Sequence, residues 1–121
     1  MKKCIYIVED NEDIGYILQY YLSEEGFDVH LFETVSAFNK AVNKTLPDLF
    51  LLDVRLPDGD GLEVCAAIKN REKSGKIPVL MMSAHFPEDL MRKKSCADGF
   101  LPKPFDLSIM LEKVNQFLPA A

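Results

Sequence analysis

Four apolar runs in this 121-residue chain end in side chains that carry a charge or a hydroxyl. The run over 3–8 meets Glu9 and Asp10, and "DLFLL" stops at Asp53. "IPVLMM" stops at Ser83, and "GFLP" leads into Lys103. Charge beside an apolar core is expensive to desolvate, so acids at the ends of such runs need a chemical reason. Three carboxylates brought together repel and raise one another's pKa. A hard divalent cation removes that conflict, and Mg²⁺ suits a few carboxylates together with waters and a phosphoryl group. The backbone carbonyl of Arg55, two residues past Asp53, is a further candidate oxygen ligand. A metal, the Ser83 hydroxyl and the Lys103 ammonium around one carboxylate would stabilise a phosphoryl group in transit to it. Asp53 is then the candidate nucleophile and an acyl phosphate its product.

This chemistry requires elements that bring the four run ends together. The apolar period switches repeatedly along the chain. Strand-like runs over 3–8, 27–32, 48–53 and 77–83, with the short "GFLP", alternate with helical stretches. The first helix begins near Asn11, carries Ile14, Ile17, Leu18, Tyr21 and Leu22 on one face, and stops at Gly26. A second helix is predicted over 34–44, and a third over 61–71 with Leu62, Cys65 and Ile68 inward. A weaker fourth covers about 87–95, and the last carries Leu107, Met110, Leu111, Val114 and Phe117 in register. Five strand–helix alternations predict a doubly wound α/β domain with helices on both faces of a parallel sheet. In such sheets ligands gather beyond the carboxyl ends of the strands, where the strand order reverses. If the strand order is 2-1-3-4-5, the first and third strands are neighbours there, and Glu9, Asp10 and Asp53 would converge on one crevice.

Composition narrows the function further. The length and the apolar and charged fractions, 48% and 27%, are those of one soluble globular domain, expected to occupy 1–121. No apolar stretch is long enough to span a bilayer. The opening lacks the small-residue cleavage site of a signal peptide, so a cytoplasmic location is expected. A net charge of −5 without a basic stripe argues against direct nucleic-acid binding. Arg92, Lys93 and Lys94 read as a solvated helix face, and His30 as exposed. Cys4, Cys65 and Cys96 show neither metal-ligand spacing nor a disulfide framework, so reduced structural thiols are expected. "PDGDGLE" does not space its acids as a calcium loop does. Ser83 lacks the glycines of a nucleophile elbow, and Met81 and Met82 read as core.

"VEDNEDI", "LLDVRLPDGDGLEV", "MMSA" and "FLPKPF", in that order, resemble the receiver domain of bacterial two-component response regulators over nearly the whole chain. The resemblance implies a flavodoxin-like fold and a switch phosphorylated on Asp53, with Mg²⁺ held by Asp10 directly and by Glu9 through water. It makes Lys103 the phosphate-pairing lysine, Ser83 the switch hydroxyl and Phe100 the switch aromatic. It also implies a cis Lys103–Pro104 bond. Arg55 and His85 stand at the positions that border the phosphorylation site, where they either tune the lifetime of the acyl phosphate or face solvent without kinetic effect. Pro57 and Gly61 shape the loop after Asp53. Asp58 and Asp60 are solvated loop residues or a helix cap.

The implied partners are a histidine kinase or phosphotransfer protein upstream and an effector protein or output domain downstream. No output domain is expected within this chain, and dimerisation through the fourth helix is left open. One departure bears on readout. Receivers commonly place glycine before the Ala-Asp pair, where this chain has Cys96, so the fourth helix is expected to be short or displaced. Two rival readings remain. One is a pseudo-receiver acting as a phosphorylation-independent interaction module. The other is a hydrolase with an aspartyl-phosphate intermediate, although such enzymes carry the nucleophile on the first strand.

Overall fold

The computed structural model describes residues 2–83 and 97–118. Five parallel strands form one sheet: β1 (Cys4–Val8), β2 (Asp28–Phe32), β3 (Leu49–Asp53), β4 (Val79–Ser83) and β5 (Gly99–Pro102). Their order is β2-β1-β3-β4-β5, the arrangement expected, with β1 and β3 adjacent at the reversal. The described helices are α1 (Glu12–Glu24), α2 (Val35–Val42), α3 (Gly61–Asn70) and α4 (Leu107–Phe117). The predicted helix over 87–95 lies outside the described residues, as do Cys96 and the basic cluster at 92–94. None of the described helices is long and apolar enough to cross a membrane.

Alternation along the strands divides the core in two. Tyr6, Val8, Phe50, Leu52, Met81 and Phe100 pack on the side of α2 and α3. Ile5, Ile7, Leu49, Leu51, Leu80 and Met82 pack on the side of α1 and α4. Every residue of β3 and β4 is buried, which is why their sequences show no polar alternation. Edge strand β2 does alternate, and His30 is exposed on it as expected. Phe38 of α2 anchors the first half-core, meeting Phe32 and Phe50 edge to face at centroid distances of 6.0 and 5.6 Å.

Helix α1 corrects one expectation. Leu18 and Leu22 are buried, but Ile17, predicted inward, is 49% exposed. Gly15 sits at the helix–sheet contact instead, where an added Cβ would lie 2.9 Å from Leu31 Cδ2. That close approach centres the buried face on 15, 18 and 22 and turns Ile17 out. On α3, Leu62 is only partly covered, whereas Val64 is buried with Cys65 and Ile68. Gly26, at φ +95°, ends α1 as its position predicted.

At the amino ends of the strands, aspartates serve structure. Asp48 accepts from the Cys4 backbone N–H at 2.7 Å, and Asp98 from that of Val79 at 2.8 Å. Asp98 also pairs with Lys69 at 2.7 Å. Neither of the described cysteines, Cys4 and Cys65, is in a disulfide.

Phe38→Ala should lower the unfolding free energy by about 3–5 kcal/mol in urea titrations with little change in slope. Ile17→Ala should change it by less than about 0.5 kcal/mol. A large loss at Ile17 would return that side chain to the core.

Candidate functional site

The carboxyl ends of β1, β3, β4 and β5 open onto one crevice, lined by Glu9, Asp10, Asp53, Arg55, Ser83 and Lys103. Glu9 follows β1 directly. Its backbone N–H still donates to Phe32 O at 3.0 Å, so the side chain leaves from a held backbone and is 1% exposed. Asp10 is exposed beside it. Asn11 turns the chain into α1: its Oδ1 accepts from Ile14 N at 3.0 Å, an N-cap bond. Asp53 ends β3 and is buried, and the next residue continues the ladder through Val54 N to Met82 O at 3.0 Å. Ser83 closes β4, and its carbonyl accepts from Lys103 N at 2.8 Å, which fixes the start of the last loop. The Lys103–Pro104 bond is cis, as the resemblance implied.

Lys103 links the acids. Its Nζ donates to Glu9 Oε1 and, at 3.2 Å, to Asp53 Oδ2. Glu9, Asp10 and Asp53 each offer a carboxylate oxygen within 4.8 Å of the others. Burial pushes the Glu9 carboxyl up and Asp53 adds to this, while Lys103 pulls it back. The net result is a rise from 4.5 to about 7. Burial opposes the charge on Lys103, but the Glu9 hydrogen bond and both carboxylates outweigh it and raise its pKa. Among the described residues of the crevice, the three carboxylates outnumber the two cationic side chains, Lys103 and Arg55, which leaves an excess of negative charge among oxygen donors. That donor set fits a hard divalent cation.

The loop after Asp53 is held from three sides. Arg55–Leu56 pairs antiparallel with Gly59–Asp60 in a short ribbon. Asp60 caps α3 by accepting from Leu62 N at 2.8 Å. Asp58 reaches across to α2, accepting from Val35 N at 2.8 Å and Ser36 N at 3.1 Å. Those bonds hold the Asp58 carboxyl below the ordinary aspartate range. Gly61 lets α3 approach β3 closely, since a Cβ there would lie 2.1 Å from the Asp53 carbonyl oxygen.

Six of the eight predicted site residues therefore line one crevice. Phe100 does not. It is buried on β5, paired in register with Met81, on the α2–α3 side of the sheet. His85 lies outside the described residues. Asn11 and Ile14 also border the crevice, and sequence reasoning did not single them out. The N-cap pattern directly after the acid pair was their available signal. The reach of Asp58 to α2 had none, because it spans 23 residues.

The family model for the response regulator receiver domain matches residues 5–115. The chain is 30% identical over 119 residues to the phosphate regulon transcriptional regulatory protein PhoB of Rhizobium meliloti, covering 97% of this chain and 52% of that protein. It is 33% identical over 114 residues to the DNA-binding transcriptional regulator NtrC of Proteus hauseri, covering 93% and 24%. The chain thus spans between about a quarter and about half of these relatives. Among solved structures, the non-phosphorylated HemR receiver domain of Leptospira biflexa superposes with a TM-score of 0.86 at 30% identity, covering 99% and 97% of the two chains. The chemotaxis response regulator CheY4 of Vibrio cholerae shares the fold, with a TM-score of 0.90 at 21% identity over 97% and 99%.

Two measurements test the site. In the EDTA-treated protein, Glu9 binds its proton more tightly folded than unfolded, so its contribution to stability is full below about pH 4.5 and declines as pH rises through about 7. The stability of wild type relative to Glu9→Gln should fall across that window; a flat difference would mean that Glu9 ionises as it does in water. Gly61→Ala should cost about 1–3 kcal/mol through its clash with the Asp53 carbonyl, read as a drop in denaturation midpoint.

Proposed function

The chain belongs to the response regulator receiver domain family, and on that premise we propose that it is a phosphorylation-controlled switch with Asp53 as acceptor. The observation that carries this reading is Lys103 bridging Glu9 and Asp53 while Asp10 brings a third carboxylate to the same crevice. A phosphohistidine on a kinase or phosphotransfer protein presents its phosphorus to an Asp53 carboxylate oxygen. The new O–P bond forms as the N–P bond breaks, and the imidazole leaves with the electron pair. Asp10, Asp53 and the Arg55 carbonyl, with Glu9 acting through water, would hold Mg²⁺, which would supply positive charge to the phosphoryl oxygens.

The protein's own groups do the rest. Lys103 stays charged and sits on the acceptor carboxylate, so it meets the phosphoryl oxygens without reorganisation. Ser83, at the end of the neighbouring strand, supplies a hydroxyl to the same group. Phe100, on the strand next to Ser83, reports the change to a downstream partner as a shift between two conformations. The apolar groove of Ile14, Ile17, Leu18, Pro104, Phe105 and Leu107 lies directly beside Lys103. It supports docking of the phosphodonor against α1. The exposure of Ile17 thereby acquires a purpose.

Intact mass after incubation with acetyl phosphate and Mg²⁺ tests the reading. A phosphoryl adduct should form, and it should be absent with EDTA and in Asp53→Asn. Lack of an adduct, together with failure to bind a beryllofluoride mimic, would leave the phosphorylation-independent interaction module. Lys103→Ala should slow phosphorylation by about 10²–10³-fold, the usual effect of removing one aimed charge donor. Arg55→Ala and His85→Ala should each change the rate of dephosphorylation; unchanged rates would assign both to solvent-facing roles.

A further inference from the structure

A second group of ligating side chains lies at the opposite end of β1. Cys4, its first residue, pairs in register with Asp28 of edge strand β2, and Tyr6 pairs with His30. Side chains two apart share a face, so Cys4, Asp28 and His30 gather on one side of the β1–β2 pair. One ligating atom from each lies within 4.8 Å of the others. His30 Nε2 is 3.3 Å from Asp28 Oδ2, close to the ~3.3 Å separation of nitrogen and oxygen ligands on a tetrahedral ion with bonds of about 2.0–2.1 Å. The His30 ring stands edge-on to Tyr6 at 5.5 Å, which limits its rotation. Asp28 and His30 are exposed and Cys4 is half-buried, so an ion can enter from solvent.

We propose that Cys4, Asp28 and His30 bind a transition-metal ion of the Zn²⁺ class, with water completing the coordination. One sulfur, one imidazole nitrogen and one carboxylate oxygen form a set that Zn²⁺ or Co²⁺ accepts and that Mg²⁺, which demands oxygen, does not. The site is separate from the acidic crevice: Cys4 and Glu9 are five strand residues apart, roughly 16 Å. Asp48 accepts from the Cys4 backbone N–H at 2.7 Å, which adds a second carboxylate near the group. Coordination breaks the Cys4 S–H bond, the sulfur pair binds the metal and the proton passes to solvent; nothing is oxidised. The ion would clip the edge strand β2 to β1.

Titration of the full chain with Co²⁺ in excess Mg²⁺ tests this, since Mg²⁺ occupies oxygen-only sites. One equivalent should produce thiolate-to-Co²⁺ charge-transfer absorption that Zn²⁺ displaces and Asp53→Asn retains. Cys4→Ser should abolish the band. His30→Ala, at an exposed position, should weaken binding by about 10-fold or more. The proposal is overturned if no band appears, if the band survives in Cys4→Ser, or if His30→Ala binds as tightly as wild type.

Discussion

The ammonium of Lys103, held between the buried carboxylates of Glu9 and Asp53, is the interaction on which the carboxyl end of the sheet depends. Two acids at the ends of adjacent buried strands would repel, and either without a partner would leave an uncompensated charge, worth about 3–5 kcal/mol in comparable buried pairs. Lys103 comes from the far side of the site, on the loop after β5, and closes the arrangement across three strands. Its single charge does not balance Glu9, Asp10 and Asp53. The remaining negative charge favours a cation, while burial first, and Asp53 after it, raises the pKa of Glu9.

The loop after Asp53 carries a second constraint. Gly61 brings α3 against the Asp53 carbonyl, Asp60 caps that helix, and Asp58 caps α2. The starts of two helices are thus fastened to the segment that begins at the candidate acceptor. A displacement of that segment must be absorbed by hydrogen bonds at both helix starts, because packed interiors do not deform smoothly.

The two polar ends of the sheet use the same side chain for opposite purposes. At the amino ends, Asp48 and Asp98 are satisfied by strand N–H groups, and Asp98 by Lys69 as well. At the carboxyl ends, among the described residues, the three acids of the crevice outnumber its cations. The core between them isolates one end from the other, so chemistry at one need not disturb packing at the other.

By itself, the sequence determined the five sheet strands and the four described helices, the strand order through its family resemblance, and the convergence of Glu9, Asp10, Asp53, Ser83 and Lys103. Those features are written in local periods and in what stands at the end of each apolar run. Tertiary structure alone decided that Gly15 rather than Ile17 faces the sheet, that Val64 is buried, and that Asp58 caps a helix 23 residues away. It also decided that Glu9 is buried deeply enough for its acidity to shift, and that Cys4, Asp28 and His30 meet across two strands. The physical reason is range. Periodicity ranks faces within one element, whereas closeness of approach, desolvation and pairing between elements arise only once the sheet has brought distant segments together.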